Sequence, residues 1–399
     1  MATAPNQFKA SPSGSPEVTA GPTALPAWVY NHATLTRLEL ERILRPSWQI
    51  ACHTSSIPKP GDYITLDLGS DSILVVRDRE GHIRAHHNVC RHRGARLLDG
   101  AGHCVGPLVC PYHGWSYGLD GALIGVPSRD TFVNFDKSAN GLKSVHTEVY
   151  LGFVFVCTTP SKPAQSVADG WAPFAEELAP YRFEELVPLT PIMEDEWPVD
   201  WKIAIDNYLE SYHVPIGHPG LNRMFTPDYL DQRGAGLVAR GTSWIREQPS
   251  SRWSERYYQT LLPGLVDHLP KDHQRCWRFY SMLPNIGIDV YPEQMDFFQV
   301  LPRGPGKCVT RYAIFGLPDA RREMNVLRRL GSRINNEVNK EDRWLCERVQ
   351  RGLESPSYTP GPLSSIERWL LRFHDLLREQ IPETREPFAP QVFAERTVG

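Results

Sequence analysis

The sequence lacks several features that would assign it to a familiar class. No uninterrupted apolar run reaches the ~18 residues that a transmembrane helix needs. The net charge of only −3 gives no reason to expect nucleic acid or an anionic membrane as a partner. The 8 cysteines among 399 residues are too few for a disulfide framework and indicate reduced thiols in a cytoplasmic protein. We therefore expect neither a membrane nor a nucleic-acid partner.

The first residues also lack the marks of a targeting signal. The stretch from Met1 to Pro26 is rich in Ala, Pro, Ser and Thr and has no apolar core, whereas a secretory signal carries an apolar segment of about 7–15 residues. Such a composition is typical of disordered chain. We therefore expect a disordered tail over residues 1–26.

Two short stretches carry the strongest chemical signal. Cys90 to His92 and Cys110 to His113 together read C-x-H, seventeen intervening residues, then C-x-x-H. Each half offers one thiolate and one imidazole. This is the ligand set of a Rieske [2Fe-2S] cluster, in which two cysteines hold one iron and two histidines hold the other. The pattern predicts that these four residues bind such a cluster.

A structural zinc site is the main alternative, because zinc also binds two cysteines and two histidines. Its usual spacing pairs cysteine with cysteine and histidine with histidine, whereas each half here is mixed and both halves keep the same order. Each pair is also followed by a glycine, Gly94 or Gly114, as expected for a loop that wraps closely around a cluster. These features favour the cluster over zinc.

Alternation of apolar and polar residues divides the chain into a small β-rich part and a larger mixed part. We expect residues 27–47 to form a helix that packs on the larger part, residues 48–160 to form a small all-β cluster domain, and residues 161–399 to form the second domain. Short strands separated by turn residues are predicted in the cluster domain, at 62–68, 72–76, 83–89 and 150–157.

The second domain combines strands with long helices. Its pattern predicts, in order, a helix at 201–212, an irregular polar region to about 271, strands between 278 and 316, and helices at 320–351 and 364–379. Strands followed by long helices favour an α+β domain with helices on an antiparallel sheet. There is no G-x-G-x-x-G between a strand and a helix, and no P-loop. A redox protein without its own dinucleotide site must receive electrons from another polypeptide.

A second metal site is indicated by the pattern E-x-x-H-x4-H at Glu210, His213 and His218. If the preceding helix continued to His213, Glu210 and His213 would share one helix face, and Pro215 and Gly217 would then end the helix and return His218 towards His213. Two imidazoles and one carboxylate would form the facial triad of non-haem Fe(II) oxygenases. Histidines that simply form hydrogen bonds in the interior are the alternative.

The carboxylate of this triad must come from another element. Glu341 and Asp342 lie midway along the predicted C-terminal helix, and we prefer Asp342 for its shorter side chain. On spacing alone, solvated surface charges are the favoured explanation of both residues.

At this point the chain resembles a known family, the α (terminal oxygenase) subunits of the Rieske non-haem iron ring-hydroxylating oxygenases, over about residues 27–395. The resemblance implies that His213, His218 and Asp342 bind a mononuclear Fe(II) and that Trp115 packs beside the cluster. It also implies that Glu210, together with Asn207, takes a catalytic role, with Glu210 bridging His213 to a cluster histidine of a neighbouring subunit.

The resemblance also implies partners and an assembly. It predicts a homotrimer that uses O2, a small-molecule substrate and electrons from a separate reductase, with or without a ferredoxin. Many ring-dihydroxylating members have an aspartate at the bridging position, whereas this chain has Glu210. In this respect it is more similar to the branch that contains carnitine monooxygenase and glycine betaine demethylase.

Three functions remain open from the sequence. The first is monooxygenation of a small organic substrate, by hydroxylation or oxidative demethylation. The second is cis-dihydroxylation of an aromatic ring, and the third is electron transfer by a Rieske carrier without oxygenase activity. The residues beyond the cluster domain favour an oxygenase.

The substrate is not identified by these patterns. Aromatic residues on the strands of the second domain could form a cage for a quaternary ammonium group, stack on an arene, or simply belong to the core, which is the usual place for such residues. Two arginines, Arg303 and Arg311, could bind a substrate carboxylate. The aromatic candidates are Trp277, Phe279, Tyr280, Tyr291, Phe297 and Phe298.

Overall fold

The computed structural model describes residues 21–227 and 231–394. Most of the predicted tail therefore lies outside the described residues. Its last residues do not: Thr23 pairs with Pro362 and Leu25 is completely buried. The predicted tail is thus too long at its C-terminal end, because the apolar Leu25 anchors this stretch in the core.

The strands are numbered in chain order. They are β1 Gln49–His53, β2 Asp62–Leu68, β3 Asp71–Arg77, β4 Ile83–His87, β5 Ala101–His103, β6 Leu108–Val109, β7 Ser116–Tyr117, β8 Leu123–Gly125, β9 His146–Tyr150, β10 Phe153–Cys157, β11 Val187–Pro188, β12 Met193–Trp197, β13 Asp231–Ala235, β14 Val238–Trp244, β15 Cys276–Met282, β16 Ile286–Val290, β17 Met295–Pro302 and β18 Cys308–Gly316.

The α-helices are α1 Ala33–Glu39, α2 Val167–Trp171, α3 Ala175–Leu178, α4 Trp201–Tyr208, α5 Val214–Gly217, α6 Pro219–Met224, α7 Trp253–Leu261, α8 Arg322–Leu353, α9 Arg368–Gln380 and α10 Gln391–Ala394. Within the described part of the chain, every helix is too short or too polar to cross a lipid bilayer.

Strands β1 to β10 form three small antiparallel sheets. Their strand orders are β1-β10-β9, β4-β3-β2-β5 and β6-β7-β8. The first two sheets share a core with the second domain, whereas β6 to β8 belong to a separate small core that also contains Cys90 and Cys110. The cluster loops are therefore held by a core of their own at one end of the β-rich part.

One predicted strand of this part is wrong. Residues 150–157 were expected to form a single strand, but the chain turns at Leu151 and Gly152, whose φ angles are +49° and +71°. Two left-handed residues in succession match the twist of a tight hairpin, and β9 and β10 pair across the turn with Phe153 opposite Tyr150.

An antiparallel sheet of eight strands forms the second domain. Its order is β11-β18-β17-β16-β15-β14-β13, with β12 also paired to β18. Helix α8 runs over 32 residues. Its buried residues Leu327, Leu330 and Ile334 belong to a hydrophobic core that also contains buried side chains of strands β15 to β18. The predicted irregular region before residue 271 is wrong, because it contains β13, β14 and α7.

The β-rich part packs directly on the sheet of the second domain. Arg311 of β18 is 2% exposed and donates to the carbonyls of Ile50, at 2.9 Å, and Ala51 in β1. This side chain joins the two parts of the molecule and is not available to a substrate carboxylate. Arg303, the other arginine considered, lies 3.7 Å from Glu194 in a half-exposed pair.

The N-terminal helix packs on the second domain through both apolar and charged groups. Leu35 of α1 shares a core with Trp201 of α4 and Phe373 of α9. Nearby, the Lys202 ammonium lies 2.6 Å from the Glu39 carboxylate, and both side chains are almost completely buried. These contacts fix the start of α4, the helix that leads to the predicted iron ligands.

Candidate metal centres

The two cysteine loops of the predicted cluster site have the same backbone hydrogen bonds. In each, the cysteine N–H donates to the carbonyl five residues later, and the glycine N–H four residues later donates back to the cysteine carbonyl. Cys90 pairs in this way with Ala95 and Gly94, at 2.8 and 3.0 Å, and Cys110 with Trp115 and Gly114, at 2.8 and 3.1 Å. Gly94 and Gly114 adopt φ angles of +73° and +71°, which glycine accepts without steric cost.

The two predicted histidine donors face each other across these loops, and both cysteines belong to the small core beneath them. The Nδ1 atoms of His92 and His113 lie 3.1 Å apart, and both cysteines are 3% exposed or less. Two buried thiols and two adjacent, half-buried imidazoles fit the two-cysteine, two-histidine set of a Rieske cluster. The donor set therefore fits the cofactor.

Aromatic residues support these loops. The indole of Trp115 stacks on His92, with centroids 5.0 Å apart and planes 8° apart. The Tyr117 hydroxyl lies 3.2 Å from the Cys90 Sγ and accepts from the Arg91 N–H at 3.0 Å, and burial raises the pKa of Tyr117. The sequence reasoning missed Tyr117. It lies two residues after Trp115 and shares its small core, so its proximity to the second loop in the sequence could have identified it.

The predicted geometry of the Glu210 segment is wrong in one respect. Helix α4 ends at Tyr208, so Glu210 and His213 do not lie on a helix face. Instead, the Glu210 carboxylate accepts from the backbone N–H groups of Tyr212 and His213, the latter at 3.1 Å, and pairs with the His213 Nδ1. A side chain that satisfies nearby backbone groups competes with helix formation and favours a turn.

Three predicted iron ligands converge at this turn. The Nε2 atoms of His213 and His218 lie 3.1 Å apart, and the Asp342 Oδ1 lies 3.0 Å from the His218 Nε2 and 3.6 Å from the His213 Nε2. One ligand atom from each residue falls within 4.8 Å of the others. Two imidazoles and one carboxylate in this arrangement fit the facial triad of a non-haem iron centre.

Each of these donors is oriented by a polar partner. The His213 Nδ1 pairs with Glu210, the His218 Nδ1 lies 2.9 Å from Glu341, and Asn207 donates to the Asp342 Oδ1 at 2.6 Å. Carboxylates that orient the second nitrogen of metal-binding histidines are common. The structure therefore brings Asp342 to the centre and places Glu341 behind His218, which distinguishes the two candidates for the third ligand.

The same contacts determine the charges at the centre. Burial alone would lower the pKa of His213, but its hydrogen bonds to Asp342 and Glu210 outweigh burial and raise the pKa to about 9. Burial would raise the pKa of Asp342, but hydrogen bonds from both histidines outweigh it and lower the pKa to about 2. The lowered pKa keeps Asp342 anionic, which is the form of a carboxyl that binds a metal ion.

A surface cavity of about 680 Å³ adjoins the centre and is lined by His213, Glu341 and Trp344, among others. Several apolar side chains are exposed around it, including Ile216 at 87% and Trp344 at 55%. Scattered apolar residues are normal at surfaces, but a group beside a metal centre is typical of a face that contacts another protein.

Comparisons with known proteins agree with both centres. A family model for the Rieske [2Fe-2S] domain matches residues 47–144, and one described as ring hydroxylating alpha subunit (catalytic domain) matches residues 191–383. The glycine betaine monooxygenase oxygenase subunit of Chromohalobacter salexigens is 33% identical, over 93% of this chain and 89% of its own. The chloroplastic choline monooxygenase of Amaranthus tricolor is 32% identical, over 89% and 77%.

A solved structure agrees as well. A quaternary ammonium Rieske monooxygenase, described for carnitine oxidation by gut microbiota and inter-subunit electron transfer, is 26% identical with a TM-score of 0.76, over 90% of this chain and 96% of its own.

The chain belongs to the Rieske oxygenases, as an oxygenase subunit with a ring-hydroxylating α catalytic domain. It is an oxidoreductase of mixed α and β structure whose cofactors are a [2Fe-2S] cluster and a mononuclear iron, and it works with a separate reductase and a small-molecule substrate. The predicted family, fold class and cofactors are confirmed. The zinc site and the carrier without oxygenase activity are not supported.

Proposed function

We propose that this chain is the terminal oxygenase of a system that monooxygenates a small quaternary ammonium compound, by hydroxylation or oxidative demethylation. The observation that carries this proposal is the similarity of nearly the whole chain to glycine betaine and choline monooxygenases. The complete donor sets of both metal centres support it. Aromatic cis-dihydroxylation is less favoured, because both of these relatives are monooxygenases.

In this proposal, the residues have distinct roles. Cys90, Cys110, His92 and His113 hold the cluster, with Trp115 packed beside it. The mononuclear iron is held by His213, His218 and Asp342. When bound there, the iron supplies the activation of O2 next to the substrate.

The residues around the iron act by positioning it. Asn207 fixes one oxygen of Asp342 through its hydrogen bond of 2.6 Å. Glu210 fixes the ring of His213 through Oε1, and this oxygen keeps a lone pair that a further donor could use, whereas Oε2 accepts from two backbone N–H groups.

We further propose a homotrimer in which the cluster of one subunit delivers electrons to the iron of its neighbour, through Glu210. The exposed apolar residues at both centres support this assembly: Tyr112, beside His113, is 55% exposed, and Tyr212, beside His213, is 64% exposed. Electrons would come from a separate reductase, directly or through a ferredoxin. A cytoplasmic location is supported by the six cysteines outside the cluster, all of which are free thiols.

The experiment is reductase-dependent O2 uptake by the holoprotein, with glycine betaine, choline and carnitine as substrates. We expect at least one of them to stimulate uptake together with an equivalent amount of oxidised product, and formaldehyde to appear if the reaction is a demethylation. Mass in solution should correspond to three chains of 45.3 kDa.

Naphthalene and benzoate serve as the contrasting substrates in this assay. Formation of a cis-diol from either, with no coupled turnover of the three ammonium compounds, would reject the proposed function in favour of dihydroxylation. A monomer that retains full coupled activity would reject the trimeric electron path but leave the substrate proposal intact.

A further inference from the structure

Strands β15 to β18 carry a row of partly exposed side chains on one face of the sheet. Phe279, Asp289, Asp296 and Ile314 are paired in register across these four strands. Each keeps some exposure, whereas the residue before it and the residue after it are buried. These strands lie inside an eight-stranded sheet. Because the partly exposed side chains lie on one face of these inner strands, we infer a cleft between that face of the sheet and the helices that cover the sheet.

This cleft adjoins the iron centre. The Tyr208 hydroxyl, at the end of α4, donates to the Asp289 Oδ1 at 2.7 Å, and the preceding residue, Asn207, donates to Asp342 at 2.6 Å. The ring of Phe298 meets the ring of Tyr208 edge to face, with centroids 4.6 Å apart. Two consecutive helix residues therefore connect the predicted iron ligand to the acidic pair on the sheet.

The two acidic groups face each other across strands β16 and β17. Asp289 accepts from Tyr208 and, at 3.3 Å, from Tyr291. The Tyr291 hydroxyl also partly offsets the rise in the pKa of Asp296. Among the described residues, no lysine, arginine or histidine is paired with either carboxyl. Burial raises the pKa of both, and the mutual repulsion of the pair raises that of Asp296 further. A cation bound beside the pair would oppose this rise, because a nearby positive charge favours the ionised form of a carboxyl, so the cation and the ionised pair would stabilise each other.

We propose that Asp289 and Asp296 recognise the positively charged ammonium group of the substrate and determine selectivity for it over a neutral molecule of the same shape. The proposal rests on the proposed function and names the residues that would enforce it. Phe279 is paired with Asp289 across the sheet, Tyr208 donates to Asp289, and Phe298 packs against Tyr208. Aromatic rings near the pair can contact the methyl groups around a cationic nitrogen through their faces. A neutral arene would use these rings equally well but would leave the carboxyls without a counter-charge.

The test is calorimetric binding of a charged probe and its neutral copy to the anaerobic holoprotein. Choline and 3,3-dimethylbutan-1-ol differ only in that a quaternary carbon replaces the quaternary nitrogen. For wild type, we expect choline to bind more tightly. Asp289→Asn and Asp296→Asn should each weaken choline binding at least tenfold while changing binding of the alcohol by less than twofold.

A matched control is Glu293→Gln. Glu293 is also a buried carboxyl that accepts from a tyrosine, Tyr258, at 2.8 Å, but it lies outside the row. This variant should keep the wild-type ratio of the two affinities. The visible spectrum of the cluster and the iron content report whether each variant is folded and loaded, and the double variant Asp289→Asn/Asp296→Asn serves if either single variant is unstable.

The outcomes separate the two proposals. If wild type prefers choline and the aspartate variants keep that preference, or lose both probes equally, the pair has only a structural role and the inference is wrong while the proposed function stands. If wild type binds none of choline, glycine betaine and carnitine, or prefers the alcohol, both proposals fail.

Discussion

The donors of the two metal centres come from very different distances along the chain. His92 and His113 are 21 residues apart, and their loops repeat one set of backbone hydrogen bonds. At the iron centre, His218 and Asp342 are 124 residues apart in the chain, and the ligands are oriented by side chains. The cluster site is thus encoded by local loop geometry, whereas the iron site exists only when α4 and α8 pack together.

The largest effects are expected when a ligand is removed from one centre and the other is observed. Cys110→Ser should abolish cluster binding, because an alcohol does not replace a thiolate ligand of iron, and should leave the mononuclear site able to bind Fe(II). His213→Ala should abolish mononuclear iron binding and coupled turnover while the visible and electron paramagnetic resonance spectra of the cluster persist. Iron content per chain and these spectra measure both results.

Two other outcomes for His213→Ala would contradict this expectation. Loss of the cluster in His213→Ala would show that the two centres depend on each other for folding. Retention of coupled activity by that variant would contradict its assignment as an iron ligand.

A smaller effect is expected from a side chain that orients a ligand without binding iron. Asn207→Leu removes the amide that donates to Asp342 and should weaken Fe(II) affinity about 10- to 100-fold, as is typical of such partners. The cluster spectrum should not change. Competition with a chelator of known affinity gives the measurement.

The control for this variant is Asn339→Leu, because Asn339 is an exposed residue of α8. Asn339→Leu makes the same chemical change close to Asp342 but leaves the hydrogen bond between Asn207 and Asp342 in place. Equal iron affinity in wild type and Asn207→Leu would mean that packing of α8 alone places the carboxylate.

The contrast between the centres also explains what could be predicted from the sequence. The cluster donors followed from spacing alone, and strand β2 was predicted with its observed bounds, because its alternating residues report one buried face. Asp342 could not be derived in this way. Its acidic neighbour Glu341 has the same local context, and only the packing of α8 against α4 determines which carboxylate faces the histidines.

The errors have the same origin. Helix α4 was predicted to continue to residue 212, but the Glu210 side chain satisfies the backbone of the following turn. Arg311 was considered for substrate binding, but its partners are carbonyls of β1, about 260 residues away. In both cases the deciding contacts involve groups that a periodic pattern does not report.

The smallest effect tests whether the cluster loops depend only on their backbone. Gly94 has a φ of +73° and open space where a Cβ would lie, so Gly94→Ala should cost only the left-handed conformation, about 1 kcal/mol of apparent unfolding free energy. Gly81→Ala, in the β3–β4 turn, is the matched control, since Gly81 has a φ of +88° and equally open space. Thermal unfolding of the holoprotein should show equal losses. A larger loss of stability for Gly94→Ala, with a changed cluster spectrum, would mean that the loop also needs the glycine to fit the cluster. No loss of stability in Gly94→Ala would contradict the left-handed conformation of Gly94.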